Sequence, residues 1–287
     1  MIVERFAPSP TGYLHLGHAF SAWVCHRSAR AGGGQFLLRM EDLDTSRVRP
    51  DYYDAIEEDL QWLGLDWDGE IIRQTERQAA YDQAVSRLWA LGVLYRCACT
   101  RRDIQEALAA PQEGSVAQQV YPGTCRQAAV DGSSVSAVRL NLSAAIEHLG
   151  GESAVERLPI VSTGDGCDVL PAQVSARVLF EQLGDIVIVR RDGVPAYHLS
   201  VVVDDAHQGV THVTRGSDLA EATHIQRVLQ ELLDLPAPIY RHHRLIRDEA
   251  GKRLAKRDDA RAIRSYREAG MTPGDVFALM GITVPVA

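Results

Sequence analysis

The fold is indicated at the amino end of the chain, where residues 2–18 read IVERFAPSPTGYLHLGH. The first of these residues, Ile2–Phe6, predict a short strand. The prolines and the glycine in residues 7–12 predict a loop, because both residue types interrupt regular structure. A helical pattern then covers residues 16–31, and three consecutive glycines end it. A strand, a loop and a helix in this order predict the start of an α/β domain.

The alternation of strands and helices continues along the chain. After a second strand at residues 35–40, amphipathic helices are predicted at residues 50–63 and 77–91. Strands joined by helices in this way form a parallel sheet that the helices cover. Towards the carboxyl end, strands are predicted at residues 185–190, 196–203 and 212–215, and helices at residues 220–233, 260–269 and 273–280.

Residues 94–183 interrupt this alternation. They contain three closely placed cysteines and many turn signals, which predict an inserted subdomain. We therefore expect four parts in the chain. These are the first half of a Rossmann-type domain at residues 1–93, the insert at 94–183, the second half of the Rossmann-type domain at 184–235, and a basic loop with a short helical tail at 236–287.

The composition limits the class of protein. A net charge of −8 over 287 residues excludes a wholly basic nucleic-acid coat protein, although a local basic face on an acidic protein is still compatible with RNA binding. The charged start does not suit a signal peptide, and no apolar stretch reaches the roughly 20 residues that span a bilayer. We expect a cytoplasmic protein without membrane contact.

The first motif that carries chemistry is the tetrapeptide His15-Leu16-Gly17-His18, which opens the first predicted helix. Backbone N–H groups at a helix amino terminus favour a phosphate, and two imidazoles at this point add further donors. Gly17 lets a purine or a ribose approach the backbone. Such donors would stabilise charge that develops on an α-phosphate during transfer. Two surface histidines on an ordinary helix are the alternative interpretation.

The second motif is a glycine-led basic segment, residues 251–257. Of the 30 basic residues in the chain only two are lysines, Lys252 and Lys256, and both lie in this segment. A flexible ammonium group here would reach the phosphates of a nucleotide. A basic surface loop, or a patch against nucleic-acid phosphates, fits the same residues.

Four stretches of the chain form a recognisable set: RFAPSPTG at residues 5–12, the tetrapeptide at residues 15–18, RMEDLD at residues 39–44 and WLGLDWD at residues 62–68. Together they resemble the catalytic half of the class I glutamyl-tRNA synthetases. The resemblance extends to about residue 258. A truncated family with this architecture, the glutamyl-Q tRNA(Asp) synthetases, is the most similar, and it implies that no anticodon-binding domain follows.

The resemblance implies a site for each substrate. Arg5 and Arg215 would contact carboxylate oxygens of glutamate, and Glu41 would receive its α-ammonium group. The implied glutamate site consists of Arg5, Phe6, Ala7, Pro8, Ser9, Glu41, Tyr197 and Arg215. The implied ATP site consists of His15, Gly17, His18 and Lys256, and the catalytic residues among them are His15, His18 and Lys256.

The lysine segment departs from the family pattern. Where the family has a lysine, a leucine, a serine, a second lysine and an arginine, this chain has Arg253, Leu254, Ala255, Lys256 and Arg257. The second lysine is kept as Lys256, and Lys252 lies beside the motif as a substitute for the missing ammonium. We therefore expect slower activation, or lost activity, relative to the usual motif.

Three cysteines in the insert form a candidate metal site. Cys97, Cys99 and Cys125 lie on segments rich in turns, and three thiolates with one more ligand make a closed zinc site. Buried free thiols fit the same residues equally well. The resemblance implies one structural Zn²⁺ with Tyr121 as the fourth ligand, and water or His148 are the alternatives.

The resemblance also implies the reaction. A ligase would form glutamyl-adenylate from L-glutamate and ATP with Mg²⁺, without tRNA, and would pass glutamate to the queuosine base in the anticodon of tRNA(Asp). The insert would contact the acceptor, and the enzyme would be a monomer. Three alternatives remain: a canonical glutamyl-tRNA synthetase half that acylates a tRNA 3′ end, an adenylate-forming ligase with a small acceptor, and a non-catalytic paralogue. Asp204 and Asp205, followed by His207, suggest either a magnesium site or a turn at a strand end.

Overall fold

The computed structural model of the chain describes residues 1–100, 102–105, 120–128, 136–164, 169–246 and 261–283. The predicted α/β class is confirmed, with a five-stranded sheet and a separate three-stranded sheet. Among these residues, no helix is both long enough and apolar enough to cross a membrane.

The five-stranded sheet is parallel throughout the pairs that the structure describes. Its strands are β1 Val3–Phe6, β2 Gln35–Met40, β3 Ile72–Arg73, β7 His212–Gly216 and β8 Ile239–His243. The order β3-β2-β1-β7-β8 places β1 in the centre, with chain connections leaving towards both edges. Ligands of open parallel sheets bind beyond the carboxyl ends of the strands at such a point.

Helices cover the sheet as the sequence predicts. The described helices are α1 Leu16–Ala31, α2 Pro50–Trp62, α3 Gln78–Ala90, α4 Leu142–His148, α5 Glu152–Val155, α6 Ala176–Val178, α7 Tyr197–His207, α8 Ala222–Leu232, α9 Ile263–Glu268 and α10 Pro273–Leu279. Helix α1 contacts β1, β2 and β7, so it lies directly against the centre of the sheet. Phe36, Leu38 and Met40 of β2 are fully buried beneath these helices. This packing fixes the amino end of α1 beside the end of β1.

A three-stranded antiparallel sheet joins the predicted insert to the residues that follow it. Its strands are β4 Leu94–Cys97, β5 Ala137–Leu140 and β6 Val187–Val189, in the order β4-β5-β6. The predicted boundary between the insert and the second half of the Rossmann-type domain, at residue 183, assigns β6 to the Rossmann-type domain. In the structure, β6 pairs with β5 and not with the parallel sheet. A three-residue apolar strand fits either sheet, so its sequence does not decide between them.

The predicted strand at residues 196–203 is wrong, because these residues form most of helix α7. Leu199, Val201 and Val202 are buried, and so are Asp204 and Asp205 on the following turn. A helix that is buried on several faces has a continuous apolar run in its sequence, and a buried strand has the same pattern. From the sequence, two adjacent acidic residues are expected at the surface. Their burial depends on hydrogen-bond partners from distant elements.

Candidate active site

A cavity of about 450 Å³ opens beyond the carboxyl ends of β1 and β7, beside the amino end of α1. Its lining contains every predicted glutamate-site residue and the predicted ATP-site residues that the structure describes: Arg5, Phe6, Ala7, Pro8, Ser9, His15, Gly17, His18, Glu41, Tyr197 and Arg215. The fold thus brings together residues from opposite ends of the sequence. Lys256 lies outside the described residues, as do the other predicted loop residues, Arg253, Leu254, Ala255 and Arg257.

The two histidines of the tetrapeptide are held by the first turn of α1. Nδ1 of His15 accepts a hydrogen bond from the backbone N–H of Gly17 at 3.1 Å, and Nδ1 of His18 accepts one from the backbone N–H of His15 at 3.2 Å. The two rings stack with their centroids 3.7 Å apart. Because each Nδ1 accepts a hydrogen bond, the ring proton of the neutral imidazole lies on Nε2. Both rings can therefore donate from Nε2.

Gly17 is required by the position of the His15 ring. A Cβ atom at residue 17 would lie 3.0 Å from Cε1 of His15, closer than ordinary van der Waals contact. The glycine therefore permits the ring to fold back over the start of the helix and cap it. This is a local steric reason for the glycine, in addition to the close approach of a nucleotide that the motif predicts.

The described ends of the chain on either side of residues 247–260 lie at the cavity. Ile246 lines it directly. On the other side, the backbone N–H of Ile263 donates to the carbonyl of Leu14 at 2.8 Å, and Ala262 forms a β-bridge with His15. Both lysines of the chain lie in the sequence between these two anchored ends.

Arg5 is buried and held by a carboxylate. Its Nε donates to Oδ1 of Asp205 at 2.9 Å, and the same oxygen accepts a hydrogen bond from Nη1 of Arg39 at 2.8 Å. Arg39 is fully buried and also donates to the side chain of Gln208. Burial alone would raise the pKa of the Asp205 carboxyl, but the two guanidinium groups outweigh it and lower that pKa. The carboxylate therefore stays ionised between the two arginines.

Glu41 lies at the end of β2 and points a carboxyl group towards the same cavity. Nη2 of Arg39 donates to its Oε1 at 3.4 Å, which is a long contact. Burial raises the pKa of Glu41, and the nearby Arg39 and Arg5 oppose that shift without cancelling it. A cation that enters the cavity would stabilise the ionised form of this carboxyl group.

Arg215, at the carboxyl end of β7, is held by three residues that the sequence did not point to. Its guanidinium donates to Nε2 of His242 at 3.2 Å, to Oε1 of Gln226 at 2.8 Å and to Oγ1 of Thr223 at 2.7 Å. Thr223 and Gln226 lie three positions apart on α8, so they share one face of the helix. In the sequence, only their polar character distinguishes them from the apolar residues of the same helix.

Asp204 and Asp205 do not form a turn at a strand end, because both residues lie in α7, and their carboxylates are paired with protein groups where the magnesium suggestion needs them open. Asp204 accepts hydrogen bonds from Gln74, Arg77 and Tyr81, at 2.7, 2.6 and 2.8 Å respectively. Asp205 is paired with two arginines, as described above. Both carboxylates are therefore used inside the protein, where they tie α7 to neighbouring elements.

The predicted metal ligands meet in the insert. The sulfur atoms of Cys97, Cys99 and Cys125 all lie within 4.8 Å of one another. The phenol oxygen of Tyr121 lies 3.4 Å from Sγ of Cys97 and 3.5 Å from Sγ of Cys99. Around a tetrahedral zinc ion, sulfur atoms lie about 3.8 Å apart and a sulfur and an oxygen about 3.5 Å apart, given the usual bond lengths. His148 is exposed on α4 and lies outside this group.

The protonation of these thiols also suits a metal. Burial raises the pKa of Cys99 to about 11, whereas at Cys125 the hydrogen bonds with Tyr121 and Cys99 outweigh burial and lower the pKa to about 7. Three thiolates at such short separations require a positive charge between them. The donor set and its geometry are therefore compatible with one zinc ion, with Cys97, Cys99, Tyr121 and Cys125 as the ligands.

Comparison with known proteins agrees with the resemblance in the motifs. The family model of the class I tRNA synthetases (E and Q), catalytic domain, matches residues 1–285. A glutamyl-Q tRNA(Asp) synthetase of Rhodobacter capsulatus is 48% identical over 98% of this chain and 100% of its own length. One from Nocardia farcinica is 42% identical over 96% of this chain and 82% of its own length. A glutamate–tRNA ligase of Oleidesulfovibrio alaskensis is 39% identical over 95% of this chain, which spans 54% of that protein.

Solved structures show the same fold. A glutamate tRNA ligase of Elizabethkingia meningosepticum, in complex with its amino acid, superposes with a TM-score of 0.71 at 26% identity, over 95% of this chain and 58% of its own. A methionyl-tRNA synthetase of Mycobacterium tuberculosis shares the fold, with a TM-score of 0.60 at 14% identity. The predicted Rossmann-type synthetase fold and the ligase class are thereby confirmed. The chain belongs to the class I tRNA synthetase (E and Q) catalytic-domain family and, within it, to the glutamyl-Q tRNA(Asp) synthetases.

Proposed function

We propose that this enzyme activates L-glutamate with ATP to glutamyl-adenylate without tRNA, and then transfers glutamate to the queuosine base in the anticodon of tRNA(Asp). The observation that carries the proposal is the cavity in which two arginines, a partly buried glutamate and the two helix-capping histidines converge. The names of two relatives, at 48% and 42% identity, support the acceptor.

In the first step, a carboxylate oxygen of glutamate attacks the α-phosphorus of ATP and pyrophosphate leaves. No protein nucleophile is needed. The Nε2–H groups of His15 and His18 would donate to phosphate oxygens and stabilise the charge that develops there. Lys256 would add its ammonium from the segment whose two ends lie at the cavity, and Mg²⁺ would enter with the ATP phosphates.

Glutamate would bind across the opposite wall of the cavity. Its two carboxylates would bind Arg5 and Arg215, and its α-ammonium would bind Glu41. A cation stabilises the ionised form of that carboxyl group. Tyr197 is 37% exposed and lies at the rim, where it would close over the bound amino acid. The loop Phe6–Ser9 supplies the remaining wall.

In the second step, a hydroxyl group of the cyclopentenediol of queuosine would attack the activated carbonyl, and AMP would leave. The product would be a modified base. Transfer to a tRNA 3′ end, as in a canonical glutamyl-tRNA synthetase, is the second candidate, and the similarity to glutamate–tRNA ligases favours it. The relatives with higher identity favour queuosine.

We further propose that one zinc ion is held by Cys97, Cys99, Tyr121 and Cys125. When bound, it would cross-link the end of β4 to the segment around Tyr121. Its role would be structural, because four protein ligands leave no open position for a substrate.

The first step is tested by exchange of labelled pyrophosphate into ATP. We expect exchange that depends on L-glutamate and that needs no tRNA. Exchange that appears only when tRNA is added would contradict activation without tRNA and would indicate a canonical synthetase. The absence of exchange under both conditions would contradict the activation step itself.

A further inference from the structure

The hydrogen-bond partners of Arg215 carry no negative charge, although the carboxylate of Asp218 lines the same cavity. The side chain is buried, and its three hydrogen-bond acceptors are an imidazole, an amide and a hydroxyl group. The ring of Tyr240 lies below the guanidinium at 5.5 Å, which is a further neutral contact. Among the residues that the structure describes, no carboxylate forms an ion pair with Arg215.

Arg5, the other arginine of the cavity, differs in this respect. Asp205 neutralises it in part, and Arg39 shares that carboxylate. Both Arg5 and Arg215 reach the same cavity, yet only Arg215 brings a positive charge without a protein counterion. A buried cation without a counterion is costly, and an anion that enters the cavity removes that cost.

His242 can act as a hydrogen-bond acceptor only while its imidazole is neutral. Its Nε2 receives the hydrogen bond from Nε of Arg215 and therefore carries no proton. Burial, together with the positive charge of Arg215, lowers the pKa of His242 to about 3. The acceptor is thus maintained over the whole physiological pH range.

Hydrogen bonding does not require the residue at position 226 to be uncharged. Oε1 of Gln226 accepts from Arg215, while its Nε2 is buried and has no hydrogen-bond partner among the described residues. A glutamate at this position would keep the contact of Oε1 and would lose no hydrogen bond. It would, however, give Arg215 a permanent counterion.

We propose that Thr223, Gln226 and His242 are positioning residues that hold Arg215 as a buried cation without a protein counterion, so that the side-chain carboxylate of the substrate completes the ion pair. The inference rests on the proposed function, in which glutamate is the substrate. Glutamine has the same shape but brings no charge, and would leave Arg215 unpaired. The neutral acceptors would therefore set the selection for glutamate over glutamine.

The test is the isosteric change Gln226→Glu, with Gln230→Glu as a matched control. Gln230 lies one turn further along α8, is equally buried, and contacts the hydroxyl group of Tyr240 instead of Arg215. We expect Gln226→Glu to raise KM for glutamate in pyrophosphate exchange by about 100-fold, with kcat changed by less than about 3-fold, because the lost pairing acts on binding. Inhibition of the exchange by glutamine should not weaken. Gln230→Glu removes the Nε2–H donor to Tyr240 and buries a carboxylate away from the hydrogen bonds of Arg215, so it should lower the free energy of unfolding without the selective rise in KM.

A neutral variant separates charge from shape. Gln226→Met removes the acceptor without adding a carboxylate, and we expect it to raise KM by no more than about 10-fold. Equal effects of Gln226→Met and Gln226→Glu would overturn the inference, and so would an unchanged KM in Gln226→Glu. Should Gln226→Glu not fold, Thr223→Asp places a carboxylate against the other terminal nitrogen of Arg215 and must give the same selective loss. If the unaltered enzyme shows no exchange with glutamate, the proposed function fails instead.

Discussion

Arg5 and Asp205, 200 positions apart in the sequence, form a buried ion pair with Nε of the arginine 2.9 Å from Oδ1 of the aspartate. The pair joins the end of the central strand β1 to helix α7. Arg39 binds the same oxygen, so one carboxylate serves two buried cations. The orientation of Arg5 towards the cavity therefore depends on a residue that need not touch the substrate.

The change Asp205→Asn tests this dependence. It keeps the size of the side chain but leaves two buried guanidinium groups without their carboxylate. We expect a loss of about 3 kcal/mol in the free energy of unfolding and a raised KM for glutamate. Urea denaturation and pyrophosphate exchange measure the two effects. The exposed pair Arg190 and Asp192 supplies the control, since Asp192→Asn should cost less than about 1 kcal/mol.

The change His15→Asn tests the catalytic part of the tetrapeptide apart from its structural part. Asparagine is a favoured residue at a helix amino terminus, so it can replace Nδ1 of His15 as the cap while it removes the Nε2–H group. We expect kcat for exchange to fall by about 100-fold, with the melting temperature and the KM for glutamate nearly unchanged. A variant with full kcat would show that His15 only caps α1.

The two lysines offer a matched pair of variants. Lys256→Arg and Lys252→Arg make the same change four positions apart, and both retain the positive charge. If the ammonium of Lys256 contacts the phosphates, Lys256→Arg should lower kcat by about 10-fold or more, while Lys252→Arg should have little effect. The opposite result would assign the role to Lys252, beside the altered motif.

Metal content tests the cysteine group. We expect the purified protein to contain one zinc ion per chain and Cys125→Ser to lose it, measured by elemental analysis, because three ligands cannot close the tetrahedral site. Cys25→Ser is the control, since Cys25 is a buried thiol outside the group. Tyr121→Phe should weaken zinc binding in competition with a chelator. Unchanged binding in that variant would exclude Tyr121 as a ligand.

The sequence predicts the local parts of the site well. The first strand, the loop and the helix that carry Arg5, Ser9 and His15 lie within a short stretch, where proline, glycine and the helical pattern are direct signals. The structure also brings Cys97, Cys99 and Cys125 together, which their spacing alone did not distinguish from separate buried thiols and which the resemblance implied.

The surroundings of the arginines could not be predicted in this way. Asp205 comes from α7, Arg5 from β1 and Arg39 from β2, so the three meet only in the tertiary structure. The sequence of helix α7 itself resembles that of a strand, because the helix is buried on several faces. Arg215 lies on β7, whereas its partners Gln226 and His242 lie on helix α8 and strand β8. Contacts of this kind depend on tertiary packing, so local sequence patterns do not predict them.

The most direct test of the proposed function is the position of glutamate on tRNA(Asp). The enzyme would be incubated with ATP, labelled glutamate and tRNA(Asp) that contains either queuosine or guanosine in the anticodon, and the product digested with nuclease. We predict label only in the queuosine-containing tRNA(Asp), and only in the anticodon-loop fragment. Label on the 3′-terminal adenosine, or equal labelling of both tRNAs, would contradict transfer to queuosine.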